Sequence, residues 1–97
     1  MSTFAPRAFT FAIWGPIERE DLPGLCDRVC ALLSEHPGAE LAWCDVEGVC
    51  ADAVCVDALA RLQLAARRHR CRVCLRGGSP ELRELVVFMG LRDVLTR

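Results

Sequence analysis

Residues 41–76 read LAWCDVEGVCADAVCVDALARLQLAARRHRCRVCLR, and the way this stretch divides decides the fold. It opens on Leu41-Ala42-Trp43-Cys44, a short continuous apolar run that stops at Asp45. Such a run is the pattern of a strand buried on both faces, as in the middle of a parallel sheet. It closes on Arg72-Val73-Cys74-Leu75, a second strand ending at Gly77-Gly78. Between them, from about Asp57 to Arg70, Leu59, Leu62, Ala65 and Ala66 recur at helical spacing, with Arg61, Arg67 and Arg68 on the other side. A strand, a helix and a strand in that order make a parallel pair, since parallel neighbours need a crossover between them.

The same alternation extends in both directions. Residues 9–14, FTFAIW, form a strand signal that ends at Gly15-Pro16. Asp21 is placed as an N-cap, after which Leu22, Leu25, Cys26, Val29, Leu32 and Leu33 mark one face of a helix stopped by His36-Pro37-Gly38. Beyond the third strand, Ser79-Pro80-Glu81 combines a hydroxyl cap, proline at the first helical position and an acid in the first turn. Leu82, Leu85, Val86 and Met89 give that helix a buried stripe, Gly90 stops it, and residues 91–95 (LRDVL) add apolar closure. The order βαβαβα with short connections predicts an α/β domain: a mostly parallel sheet with helices packed on one main face. Residues 1–8 are expected to be an N-terminal tail and 9–97 the domain.

Composition bounds what such a domain does. At 97 residues, 53% hydrophobic and 26% charged, the chain has the make-up of one globular domain. A net charge of −1 supplies no field that would draw it to nucleic acid or to an anionic membrane. No signal peptide is expected, and no segment reaches the roughly 20 apolar residues that span a bilayer. The expected location is the cytoplasm. All 12 basic residues are arginine, and Lys, Asn and Tyr are absent, a bias that points to a high-GC bacterial genome.

The seven cysteines stand at 26, 30, 44, 50, 55, 71 and 74, an odd number spread through apolar segments. They read as reduced thiols acting as small hydrophobes rather than as a disulfide framework. Cys71 and Cys74 have C-x-x-C spacing, but they lie on a predicted strand, where residues three apart point to opposite faces. The redox version needs its first cysteine at a helix N-terminus, and a zinc site needs further ligands at matching spacing. No metal or cofactor is therefore expected. Cys50 and Cys55, in the predicted loop 45–56, are expected to be the most exposed.

The segment 66–76, ARRHRCRVCLR, carries five arginines, but no aromatic side chain interleaves them to stack bases. Residues 40–57 carry five acids (Glu40, Asp45, Glu47, Asp52, Asp57) and no base. In a parallel layout the acids should gather at the carboxyl edge of the sheet, where sites tend to sit, and the arginines at the opposite edge. The long loop 45–56 is the leading functional segment. No phosphate loop, nucleophile–base set or carboxylate pair assembles, so the expectation is a non-enzyme.

Several landmarks occur together: Gly15-Pro16-Ile17 after the first strand, a strand ending in Asp45 with Gly48-Val49 behind it, and Val56-Asp57 opening a helix. A basic helix end, a short strand, Ser79-Pro80-Glu81-Leu82 and Gly90-Leu91-Arg92-Asp93-Val94-Leu95 follow. In this order they resemble the STAS domain, named for sulphate transporters and anti-sigma factor antagonists, in its stand-alone actinobacterial form. The resemblance implies a transcription regulator that binds an anti-sigma factor with serine-kinase activity and so frees a sigma factor. It also implies phosphorylation on a hydroxyl just after an Asp at the start of the second helix, which breaks binding because a charge of nearly −2 enters a tight interface.

On that resemblance the partner-binding residues are Asp52, Val54, Asp57, Ala58 and Leu59. Asp57 takes the place of the family's Asp and caps the helix, while Ala58 and Leu59 stand where the phosphoacceptor belongs. Neither can accept phosphate, so the switch is expected to be missing, and the interval from Asp45 to Asp57 is longer than the resemblance implies. The expected partner is an anti-sigma factor or a kinase-like regulatory protein. Two alternatives stand beside it. One is a scaffold, a homodimer or a subunit of a larger sensory or transport complex, assembled through apolar surface around Trp14 on a sheet edge. The other is a small-ligand module with a pocket at Cys50, Cys55 and Ser79.

Overall fold

A computed structural model describes residues 7–48 and 51–90. The order of elements is β1 (Ala8–Trp14), a 3-10 turn (Arg19–Asp21), α1 (Leu22–Glu35), β2 (Leu41–Gly48), α2 (Ala53–Arg68), β3 (Arg72–Arg76) and α3 (Pro80–Phe88). The strands form one sheet in the order β1-β2-β3, and both pairings are parallel. Phe9 lies beside Ala42, which lies beside Val73; one layer in, Phe11, Cys44 and Leu75 align in the same way.

Those rows explain the core. Side chains alternate along a strand, so Phe9, Phe11 and Ile13 face the same way as Ala42, Cys44 and Val46 and as Val73 and Leu75. All eight join Leu25, Val29 and Leu33 of α1, Leu59 and Leu62 of α2, and Leu82 and Val86 of α3 in a single buried cluster. The three helices thus share one face of the sheet, as the βαβαβα order predicts. The small side chains of Ala42 and Cys44 let the helices approach the central strand. The other face carries Thr10, Ala12 and Trp14 on β1, Trp43 on β2 and Arg76 on β3, whose guanidinium lies 4.8 Å from the Trp43 ring centroid.

Several boundaries differ from those expected. β2 does not stop before Asp45 but continues to Gly48, because Asp45 still pairs with Ala12 and with Arg76. Val46 then points into the core and Glu47 outward, with a register shift against β1 between Ala12 and Trp14. α2 begins at Ala53 rather than 57, capped by Asp52, whose Oδ1 accepts the Cys55 N–H at 2.9 Å. The expected loop 45–56 therefore shrinks to the few residues between Gly48 and Ala53, of which Val49 and Cys50 lie outside the described residues. The long interval before Asp57 is strand and helix, not loop.

Asp21 does not cap α1 through its side chain. It accepts the backbone N–H of Glu18 at 2.9 Å, closing the 3-10 turn that leads into the helix. Met89 is exposed rather than part of the α3 stripe, which rests on Leu82 and Val86 with Leu85 half-buried. Ser79 caps α3 as expected, accepting the Leu82 N–H at 3.1 Å, and Gly90 follows with φ +83°, the left-handed conformation a helix stop favours. Residues 91–95 lie outside the described residues, as do 1–6 of the expected tail.

α2 ends less comfortably. Arg70 adopts φ 58°, the left-handed conformation, in a non-glycine residue. The reason is a paired stop in which Arg70 N–H donates to the Arg67 carbonyl at 3.0 Å and Cys71 N–H to the Ala66 carbonyl at 2.9 Å. That turn delivers the chain directly into β3.

Candidate functional site

The carboxyl ends of the three strands open onto one edge, and the surface there is built from the turn after β1, the start of α2 and the turn after β3. Asp57 is its organising charge. It sits in the second turn of α2, where Oδ2 receives Arg19 Nη1 at 3.3 Å and Oδ1 receives Arg61 Nε at 3.2 Å. Arg61 is one helical turn further along the same helix. Arg19 arrives from the 3-10 turn after β1, so the cluster ties the first crossover to the second.

The expected partner residues separate into two groups. Asp52 is exposed, Val54 half-buried and Asp57 partly exposed, so these three reach the surface. Ala58 and Leu59 are 0% exposed and belong to the core under α2. They share the buried face of α2 with Cys55 and Leu62. Asp52, rather than Asp57, stands at the start of the helix, and Ala53 and Val54 follow it. Here too there is no hydroxyl, and no Ser or Thr occurs between Ser34 and Ser79. Ser79 Oγ is engaged as the cap of α3.

Hydrogen bonding holds Asp52 charged. Its carboxyl lies below its ordinary pKa of 3.8, chiefly because the Cys55 backbone N–H bonds to the ionised form. Glu47 is exposed at the end of β2, and its side chain lies across Gly77, whose missing Cβ leaves that space. The φ of +78° at Gly77 is a second reason for glycine there.

The edge is not the purely acidic surface expected. Arg19 and Arg61 flank Asp57, and Arg76 ends β3 on the same side. Glu40 is at the opposite edge: its N–H donates to Arg7 and its carbonyl accepts from Arg72. The charge reading failed because it followed sequence neighbours, whereas Arg19 reaches Asp57 across 38 positions. That pairing has no local signature.

Next to this cluster, Ile13, Trp14, Ile17, Glu20, Gly24 and Arg28 line a groove of about 480 Å³ between the end of β1 and α1. Trp14 is 73% exposed at its rim. The pocket expected at Cys50, Cys55 and Ser79 does not form around Cys55, which is 0% exposed under α2, and Cys50 lies outside the described residues.

The other thiols behave as packing groups. Burial pushes the Cys44 thiol up to about 12, with Asp45 adding to the effect. Burial also raises Cys71, which lies within the core, whereas Cys74 is buried outside that cluster, on the other side of the sheet. Cys26 and Cys30, one turn apart on α1, are half-buried, and burial raises Cys26 against the opposing pull of Arg61.

The chain matches no family model, no curated protein and no solved structure. Among the described residues, no helix is long and apolar enough to cross a membrane.

Proposed function

We propose that this chain is a non-enzymatic, cytoplasmic regulatory module of the STAS, anti-sigma-antagonist kind, which binds an anti-sigma factor or kinase-like protein without being switched by phosphorylation. The observation that carries this reading is the start of α2: Asp52 caps the helix on the exposed carboxyl edge, and Ala53 and Val54 follow it where an acceptor hydroxyl would stand. Asp57 and Arg61 lie on the same helix and, with Arg19 from the 3-10 turn, present fixed charges of both signs.

The physical logic is that of a constitutive surface. A phosphorylatable antagonist loses its partner when charge enters the interface, and this segment has nowhere to put that charge. Val54 and the aliphatic stems of Arg19 and Arg61 supply apolar contact, and Asp52 and Asp57 supply orientation.

The test is a binding titration of the purified chain against each anti-sigma kinase of its own genome, alongside the Val54→Asp variant. One kinase should bind the wild-type chain and bind the variant at least about tenfold more weakly, a loss of about 1.4 kcal/mol. Binding to none of them would sink the reading.

A further inference from the structure

The two outer edges of the sheet are finished differently. Successive residues of a strand aim their N–H and C=O groups to opposite sides, so each edge strand turns every second residue outward. On β3, Arg72 N–H donates to the Glu40 carbonyl at 3.1 Å, which leaves Cys71, Val73 and Leu75 facing out. The first two are occupied. Cys71 N–H donates to Ala66, and Gln63 reaches down from α2 to clasp Val73, accepting its N–H at 3.0 Å and donating to its C=O at 3.4 Å. Gln63 is 5% exposed. A further strand could not add there without displacing a buried amide.

On β1 the outcome is the reverse. Arg7 C=O accepts from Leu41 at 3.2 Å, so the odd positions face β2 and Ala8, Thr10, Ala12 and Trp14 turn their backbone groups outward. Among the described residues no hydrogen bond meets them, and β1 ends the sheet. AFTFAIW also contains no charge and no proline, the devices that ordinarily blunt an exposed edge.

We infer that β1 is a dimerisation edge, to which β1 of a second copy adds antiparallel across a two-fold axis at Phe11. Register follows from two requirements: outward positions pair only with outward positions, and the whole strand is used. Ala8 then stands opposite Trp14 of the other copy, and Thr10 opposite Ala12. Every outward amide and carbonyl from Ala8 to Trp14 finds a partner.

Side chains fit the same register. On the face of the sheet away from the helices, the exposed Trp14 indole lies against an alanine, large against small, and the two-fold repeats the fit at the other end. Burying such an aromatic contributes to association beyond the hydrogen bonds. β1 is self-complementary, which favours a second copy over a foreign strand as the occupant.

Sedimentation equilibrium of the full chain over a concentration series tests this, together with amide exchange. Thr10→Pro removes one outward N–H without touching the β1–β2 ladder, and Thr10→Lys adds an edge charge as a second, milder variant. The wild-type chain should form dimers, and each variant should weaken the association by roughly tenfold with unchanged far-UV circular dichroism. Amide protection of Thr10 and Ala12 should rise with concentration, while that of Val73 should be high throughout. A chain monomeric at the highest concentration overturns the inference, as do dimers indifferent to both variants. So does a monomer in which a foreign apolar peptide, rather than a second copy, protects Thr10 and Ala12.

Discussion

The carboxylate of Asp57 receives Arg19 at 3.3 Å, joining the second turn of α2 to the turn that follows β1. The pair bridges two crossovers on one exposed edge, and Arg61 closes on the same carboxylate at 3.2 Å. Side-chain exposure is 67% for Arg19 and 33% for Asp57, so water screens most of the attraction. Asp57→Ala should therefore cost only about 0.5 kcal/mol in urea unfolding. The same change should weaken binding to the kinase partner proposed above by more than its stability cost accounts for. A loss above about 2 kcal/mol would mark the cluster as a structural anchor instead.

Gln63 and Val73 make the contrasting case, since the pair is buried and the glutamine satisfies both backbone groups of one residue. Gln63→Leu keeps approximate volume but strands the Val73 N–H and C=O. The expected loss is about 2 kcal/mol in a denaturant melt, the usual range for orphaned buried polar groups. A change under about 0.5 kcal/mol would mean that water or another side chain replaces the clasp.

Arg70 holds a left-handed conformation that an L side chain resists. Arg70→Gly relieves that resistance while keeping the paired stop of α2. Thermal unfolding should show a gain of about 1 kcal/mol in stability. A loss would mean that the arginine side chain makes a compensating contact.

Asp52 gives the helix start a pH signature. Its folded pKa is depressed below 3.8, so its contribution is complete above 3.8 and disappears as pH falls through the lower, folded value. Asn caps a helix comparably but does not titrate. The stability difference between wild type and Asp52→Asn should be flat at neutral pH and should shift against wild type only below 3.8. A shift already present at pH 5–6 would contradict this assignment.

The fold was legible where periodicity carried it. Leu22, Leu25, Val29 and Leu33 mark α1, and Leu59, Leu62 and Ala66 mark α2. Ser79-Pro80-Glu81 fixes the start of α3 because cap, proline and acid all act within a few residues. The segment 45–56 was less legible for two reasons. Asp45 and Glu47 look like loop residues, yet the outward side of a strand accepts acids. Val54, Cys55 and Val56 look like strand or loop residues, yet packing against the sheet outweighs their modest helix propensity. Asp52 and Asp57 both precede alanine and an apolar residue; the expected helix start was Asp57, and the hydrogen bond from Cys55 puts it at Asp52. Arg61 is legible as the i,i+4 partner of Asp57, but Arg19 lies 38 positions away and Gln63 bonds to backbone, which leaves no trace in spacing.

The surface reading is tested most directly by one comparison. The purified chain is titrated against each anti-sigma kinase of its own genome, with and without ATP, and the products are mapped by mass spectrometry. The expected result is a complex with one kinase whose affinity is the same in both conditions, with no phosphate on residues 51–62. A complex that dissociates on ATP addition, with phosphate appearing on Ser79 or elsewhere in the chain, would contradict a constitutive binder. The absence of any complex would contradict the partner itself.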